Sequence, residues 1–139
     1  MTKPSTFRAG LIQMRSTRTP SENTDAAAKL IGEAKNGGAD YVLTPEMTNI
    51  MEVSREKLFA TIVEEDSDPS LATFRELART LGIYIHVGSL AIKVAPEKAV
   101  NRAFLIDRNG GIVARYDKIH MFDVDLANGE SYRESRSYR

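Results

Sequence analysis

Phe7-Arg8-Ala9-Gly10-Leu11-Ile12-Gln13-Met14, Thr19-Pro20-Ser21-Glu22 and Tyr41-Val42-Leu43-Thr44-Pro45-Glu46 read in order as strand, helix start and strand, and that order decides the fold. The first run is short, mostly apolar and followed by turn-prone Ser and Thr. Thr19 to Glu22 has the form of a capping box, with Thr19 at the N-cap, Pro20 at the first helical position and Glu22 reaching back. Ala27, Leu30, Ile31 and Ala34 then share one apolar face, and Asn36-Gly37-Gly38 stops the helix. Pro45 stops the second strand. Two strands joined through a helix pair in parallel, because the chain must cross over the sheet to return in the same direction.

The same alternation continues outward. Ser54 is placed to cap a short helix carrying Leu58, Phe59 and Ile62, and an acidic loop runs from Glu64 to Asp68. Asp68-Pro69 opens a further helix with Leu71, Phe74, Leu77, Ala78 and Leu81 on one side, closed by Gly82. Ile83 to Ile92 is strongly strand-like. Asn101 to Asp107 and Ile112 to Lys118 form two more strands around Arg108-Asn109-Gly110-Gly111, and Asn-Gly between such runs signals a hairpin. Past Lys118 the apolar periodicity fades, and Asp123 to Arg139 is polar. The expected fold is therefore α/β, with helices on one sheet face and an apolar opposite face that no later segment of these 139 residues covers.

Composition narrows the function classes. Apolar residues make up 42% and charged residues 27%, as in a globular protein. Lys+Arg and Asp+Glu number 19 each, which argues against a nucleic-acid partner, since such proteins usually carry a basic excess. No apolar run approaches the roughly 20 residues that span a bilayer. Met1 to Thr6 lacks the long apolar stretch of a secretion signal, so a cytoplasmic location is expected. There is no cysteine, which excludes disulfides and thiolate metal sites within these residues. No Gly-x-Gly-x-x-Gly and no phosphate loop supports a nucleotide. His86 and His120 lie too far apart in sequence to suggest a metal; His120 is expected to be a hydrogen-bonded scaffold residue and His86, within an apolar strand, a satisfied core residue. Asp123, Asp125, Asn128, Gly129 and Glu134 depart from a calcium loop, because Asn128 stands where the glycine is required. No cofactor is expected.

Glu46 follows a strand and a proline, where α/β folds place their sites; alone it would be an ordinary solvated carboxylate. Lys118 ends the last confident strand, within Tyr116-Asp117-Lys118-Ile119-His120-Met121-Phe122-Asp123; alone it would be an edge lysine. A base, a lysine and a histidine (His120) at strand ends suit acyl transfer, in which a protonated ammonium stabilises a developing oxyanion. Taken with Asn101 to Asp107 and Gly110, these motifs resemble the nitrilase superfamily of carbon–nitrogen hydrolases, in order from Phe7 to the last residue. The resemblance implies a four-layer α-β-β-α sandwich, of which residues 1–139 would be the N-terminal portion of one domain, incomplete in this chain. It implies Glu46 as general base, Lys118 as the oxyanion-holding cation and Glu134 as a second glutamate that orients Lys118 or water. The nucleophilic cysteine is expected beyond Arg139, after a Pro-Gly turn.

Within the superfamily, Lys118 to Asp125 with Glu134-Ser135 is most similar to the Nit-type amidases, which act on ω-amides of dicarboxylic acids. A small-molecule amide substrate and a homo-oligomeric complete protein are what this resemblance implies. The competing expectation is a non-catalytic module, either a degenerate enzyme or an interaction half that assembles with another chain, with no cysteine downstream.

Overall fold

The computed structural model describes residues 6–139, so the expectation drawn from the first five residues lies outside them. Five strands form one sheet in sequence order: β1 (Ala9–Leu11), β2 (Tyr41–Leu43), β3 (Tyr84–Ala95), β4 (Lys98–Ile106) and β5 (Ile112–Asp117). β1, β2 and β3 run parallel, whereas β3, β4 and β5 run antiparallel through two hairpins. Helices α1 (Pro20–Asn36) and α3 (Pro69–Leu81) cover one face of this sheet, and a short helix α2 (Arg55–Thr61) lies beside it. Among the described residues no helix is long and apolar enough to cross a membrane.

Several local expectations change. The first strand is three residues long, not eight, with Ile12 N donating to Leu43 O beyond it. Among the described residues its only neighbour is β2, and Pro45 lacks the N–H that would extend that ladder. The capping box does not form, although Pro20 does occupy the first helical turn. Instead Thr17 Oγ1 donates to Glu22 (3.2 Å) and accepts from Thr19 N (3.1 Å), which draws Glu22 away from Thr19. Ser54 caps α2 as expected, accepting from Lys57 N. The acidic loop is partly ordered as a 3₁₀ turn (Glu65–Ser67), and buried Asp68 caps α3 by accepting from Leu71 N at 2.8 Å. Gly82 ends α3 with φ +62°, the left-handed conformation that favours glycine. The polar end of the chain is a second small sheet, β6 (Asp123–Asp125) with β7 (Ser131–Arg133), followed by a 3₁₀ turn (Glu134–Arg136). No apolar alternation announced it; its strands pair antiparallel through the backbone, and Asp125 and Arg133 form an ion pair across them.

The main core is one-sided. Ala27, Ile31, Leu71, Phe74 and Ala78 from the helices meet Val42, Ile85, Val87, Phe104 and Ile106 from the sheet, all fully or nearly fully buried. Thr24 and Ser70 exchange a buried hydroxyl hydrogen bond of 2.7 Å between α1 and α3. The opposite sheet face carries Leu11, Ala114 and Tyr116, all exposed, beside half-buried Leu43, Ala103 and Leu105. Half-buried His86 lies there too, sharing a 2.5 Å hydrogen bond with Tyr41 Oη, and its own burial pushes it below the ordinary histidine range. The expected uncovered apolar face is present. A second buried cluster of Ile50, Leu58, Ile62, Ala91, Ala99 and Tyr138 packs α2 and the chain end against β3 and β4.

Ion pairs lock the outer hairpin to the acidic turn. Arg102 pairs with Asp117 (2.6 Å) and Glu65 (2.8 Å), and Arg115 also reaches Glu65 (2.7 Å). The Arg102 hydrogen bond holds Asp117 below the ordinary carboxylate range. Burial opposes ionisation of Glu65, but the two arginines outweigh it and lower that group as well. Both folded-state values are depressed, so the unfolded chain binds more protons as acid is added. Their contribution is present above the unfolded carboxylate range of about 4 and is lost as pH falls below it. Thermal melts should therefore show a shallow fall in midpoint below about pH 6.5, from the half-buried His86, and a steeper one below about pH 4, from these carboxylates. Arg102→Met should make that acid fall shallower, and an unchanged slope would contradict the ion-pair assignment. Phe74→Ala should cost about 3–5 kcal/mol in chemical denaturation, because it empties the centre of the core.

Candidate active site

Glu46, Lys118 and Glu134 are far apart in sequence and adjacent in space. Lys118 Nζ lies 3.1 Å from Glu46 Oε1 and 2.9 Å from Glu134 Oε2, so one ammonium joins two carboxylates. Each comes from a different element: Glu46 from the turn after β2, Lys118 from the end of β5, Glu134 from the turn after β7. A groove of about 450 Å³ opens beside them, with Met51, Leu58, Phe122 and Tyr132 on its apolar walls. A smaller cavity of about 250 Å³ lies on the uncovered sheet face, and Glu46 and Lys118 line it as well.

The turn that presents Glu46 is held from β3. Gly88 is required there, because a Cβ would collide with the carbonyl of Thr44 and stand 2.7 Å from the carbonyl carbon of Pro45. Gly88 N donates to Thr44 Oγ1 at 3.2 Å, and the Thr48 hydroxyl donates to Pro45 O at 2.6 Å. Met47 has φ +53°, a left-handed conformation costing about 1–2 kcal/mol for a residue with a Cβ. Ser89 holds it there, with Oγ accepting from Met47 N at 2.8 Å and the carbonyl accepting from Thr48 N at 2.9 Å. Buried Asn49 then pairs with the Ala91 backbone through both ends of its amide (2.9 and 3.1 Å). This irregular backbone is bonded to β3 at nearly every step, which fixes where Glu46 points.

Lys118 is fixed from β4: its backbone N donates to Asn101 O at 2.9 Å. Asn101 is buried, and its Nδ2 donates to Glu46 Oε1 at 2.7 Å. Glu134 also accepts from Phe122 N at 2.5 Å, tying the segment after Lys118 to the same carboxylate. Tyr138 closes the floor, 8% exposed, with its hydroxyl 3.9 Å from Met47 Sδ.

Burial disfavours the charged form of Glu46, but hydrogen bonds from Lys118 and Asn101 outweigh it and hold the carboxyl below its ordinary range. Burial likewise works against the Lys118 ammonium, and Glu134 and Glu46 overcome it, raising the group above the usual lysine value. At neutral pH both are charged, giving a carboxylate able to take a proton beside a fixed cation. Burial, then the charges of Glu134 and Glu46, push the Tyr138 phenol well above its ordinary value.

All three site residues singled out from sequence therefore converge. Neither histidine joins them. His86 lies on the uncovered face, and His120 is exposed with no side-chain hydrogen bond among the described residues, contrary to the scaffold role expected of it. Asp123 accepts from Ser135 N and Oγ, and Asp125 pairs with Arg133. Sequence reasoning missed Gly88, Ser89 and Asn101 as parts of this site. For Asn101 a signal existed: asparagine is depleted in strands, and a buried one needs a polar partner.

The carbon-nitrogen hydrolase family model matches residues 8–139. The chain is 37% identical over 125 residues to a deaminated glutathione amidase from Yersinia enterocolitica, covering 85% of this chain and 43% of that protein. It is 31% identical over 131 residues to the human omega-amidase NIT2, covering 94% of this chain and 46% of that protein. It thus spans less than half the length of these curated relatives. Among solved structures, the C. elegans NitFhit protein superposes with a TM-score of 0.82 at 26% identity, covering 94% of this chain and 32% of that one. A mutant of the amidase from Nesterenkonia sp. AN1, bearing the acetamide moiety of fluoroacetamide on its active-site cysteine, superposes with a TM-score of 0.71 at 28% identity, covering 84% of this chain and 44% of that one. By the family match along nearly its whole length and by its α/β architecture, this chain belongs to the carbon–nitrogen hydrolases of the nitrilase superfamily.

Proposed function

We propose that this chain carries the base and the oxyanion-holding cation of an amidase whose cysteine nucleophile is supplied by residues beyond Arg139. The observation that carries this reading is the single Lys118 ammonium shared by Glu46 and Glu134 beside an open groove. Residues 1–139 would then be the N-terminal portion of one hydrolase domain. The substrate is a small carboxamide, and the names borne by the relatives favour an ω-amide or a deaminated peptide amide. The complete protein is read as a cytoplasmic homo-oligomer with neither nucleic acid nor membrane as its partner; the balanced charge supports the first exclusion.

The chemistry follows from the charges. Glu46 takes the proton of the incoming thiol, because the thiolate is the effective nucleophile. The thiolate attacks the amide carbon, and Lys118 holds the negative charge that develops on oxygen. Glu46 returns its proton to the departing nitrogen, leaving a thioester and ammonia, and then deprotonates the water that releases the acid. Glu134 keeps the ammonium aimed while Glu46 changes protonation state.

The uncovered apolar sheet face favours a second reading, a non-catalytic half that assembles with another chain. Reading the coding sequence past Arg139 separates the two: the amidase reading requires a cysteine there, and its absence would end that reading.

In the complete protein, Glu46→Gln or Lys118→Ala should each lower kcat at least about 10³-fold, with little change in the thermal midpoint. Near-normal ammonia release by either variant would overturn the assignment. The 139-residue chain alone should release no ammonia and should be poorly soluble, since it lacks a thiol and exposes an apolar face. Hydrolysis by the purified chain that stops on Glu46→Gln would contradict the need for an external cysteine.

A further inference from the structure

The two carboxylate oxygens of Glu46 stand in different surroundings. Oε1 accepts from Asn101 Nδ2 at 2.7 Å and from Lys118 Nζ at 3.1 Å. Oε2 has no hydrogen-bond partner among the described residues, and the Glu46 side chain as a whole is 58% exposed. Asn101 is 2% exposed and lies within β4, so its amide has one place to go. A carboxylate only accepts, which fixes the amide as donor through Nδ2. The same residue's carbonyl receives the Lys118 backbone N–H at 2.9 Å. One buried asparagine thereby sets the position of both partners of the Glu46–Lys118 pair.

We propose that Asn101 is a positioning residue for the reaction, holding Glu46 Oε1 so that Oε2 is the oxygen that exchanges protons. This inference rests on the amidase reading. In the first step the thiol S–H bond breaks, its electron pair stays on sulfur, and the proton forms a bond to Oε2. That proton then passes from Oε2 to the leaving nitrogen as the carbon–nitrogen bond breaks, and water refills Oε2 in the second half. Lys118 alone does not secure this division of labour. Its charge is needed at the new oxyanion, so its bond to Oε1 weakens when the transition state forms. Asn101 is neutral, buried and anchored in a central strand, and keeps Oε1 in place when the ammonium turns away. An apolar side chain would free the carboxylate to rotate, and an aspartate would set a like charge against it.

The test uses the complete enzyme, with kcat/KM for a small carboxamide followed against pH in wild type, Asn101→Ala and the isosteric Asn101→Asp. The acid limb reports the free-enzyme base. Asn101→Ala should move that limb upward by about one pH unit, since one hydrogen bond to an ionised acceptor is lost. Asn101→Asp should move it further. In Asn101→Ala kcat should fall roughly 10- to 100-fold with KM changed less than about threefold, as expected when alignment and not substrate binding is lost. An acid limb that stays at the wild-type position in both variants would overturn the proposal. So would loss of the folded circular-dichroism signal in both, which would make Asn101 a purely structural member of the sheet. Glu46→Gln run in parallel separates the layers: if it stays active, the amidase reading itself fails. If it is inactive while both asparagine variants keep the wild-type limb, only the role of Asn101 falls.

Discussion

The arrangement depends on one ammonium. Lys118 Nζ sits between Glu46 and Glu134, so one cation meets carboxylates from two distant parts of the chain. Charges of one sign gathered without it would repel one another, and removing either carboxylate would leave the ammonium half-compensated beside a partly apolar groove. Hydrogen bonds from each element fix the geometry: Gly88 and Ser89 seat the turn that presents Glu46, Asn101 joins Glu46 to the Lys118 backbone, and Glu134 takes the Phe122 amide. The site is rigid where it meets β3 and β4 and open where it meets solvent.

The fold supplies that rigidity through its asymmetry. Two amphipathic helices bury one face of a mixed sheet, so β3 and β4 are fixed from one side by a close-packed core. The opposite face carries Leu11, Leu43, Leu105 and Tyr116, a composition suited to packing against a further layer. The smaller cavity lies on that face and is lined by Glu46 and Lys118.

Much of this was legible in the residues. Alternation and caps fixed the order of elements, Asn109-Gly110 marked its hairpin, and Pro45-Glu46 and Lys118 were visible as strand-end residues. What was not legible depended on partners distant in sequence. The first strand is cut short because Pro45 removes a donor from its neighbour β2, and Glu22 is claimed by Thr17 instead of Thr19. The hairpin of β6 and β7 has no apolar alternation to reveal it, and its cross-strand side-chain pair is the charged Asp125 with Arg133. Gly88 shows its purpose only when the Thr44 carbonyl is brought against it, and Asn101 only when Glu46 arrives from 55 residues away.

We propose that the Glu46–Lys118 pair serves a thiolate supplied from beyond Arg139. Intact-mass spectrometry of the complete protein, acid-quenched during turnover of a small carboxamide, tests that most directly. The predicted result is an acyl adduct on one cysteine beyond Arg139, equal in mass to the carboxamide less ammonia and absent after the thiol is alkylated. Turnover with no covalent adduct, continuing undiminished after every cysteine has been alkylated, would contradict it.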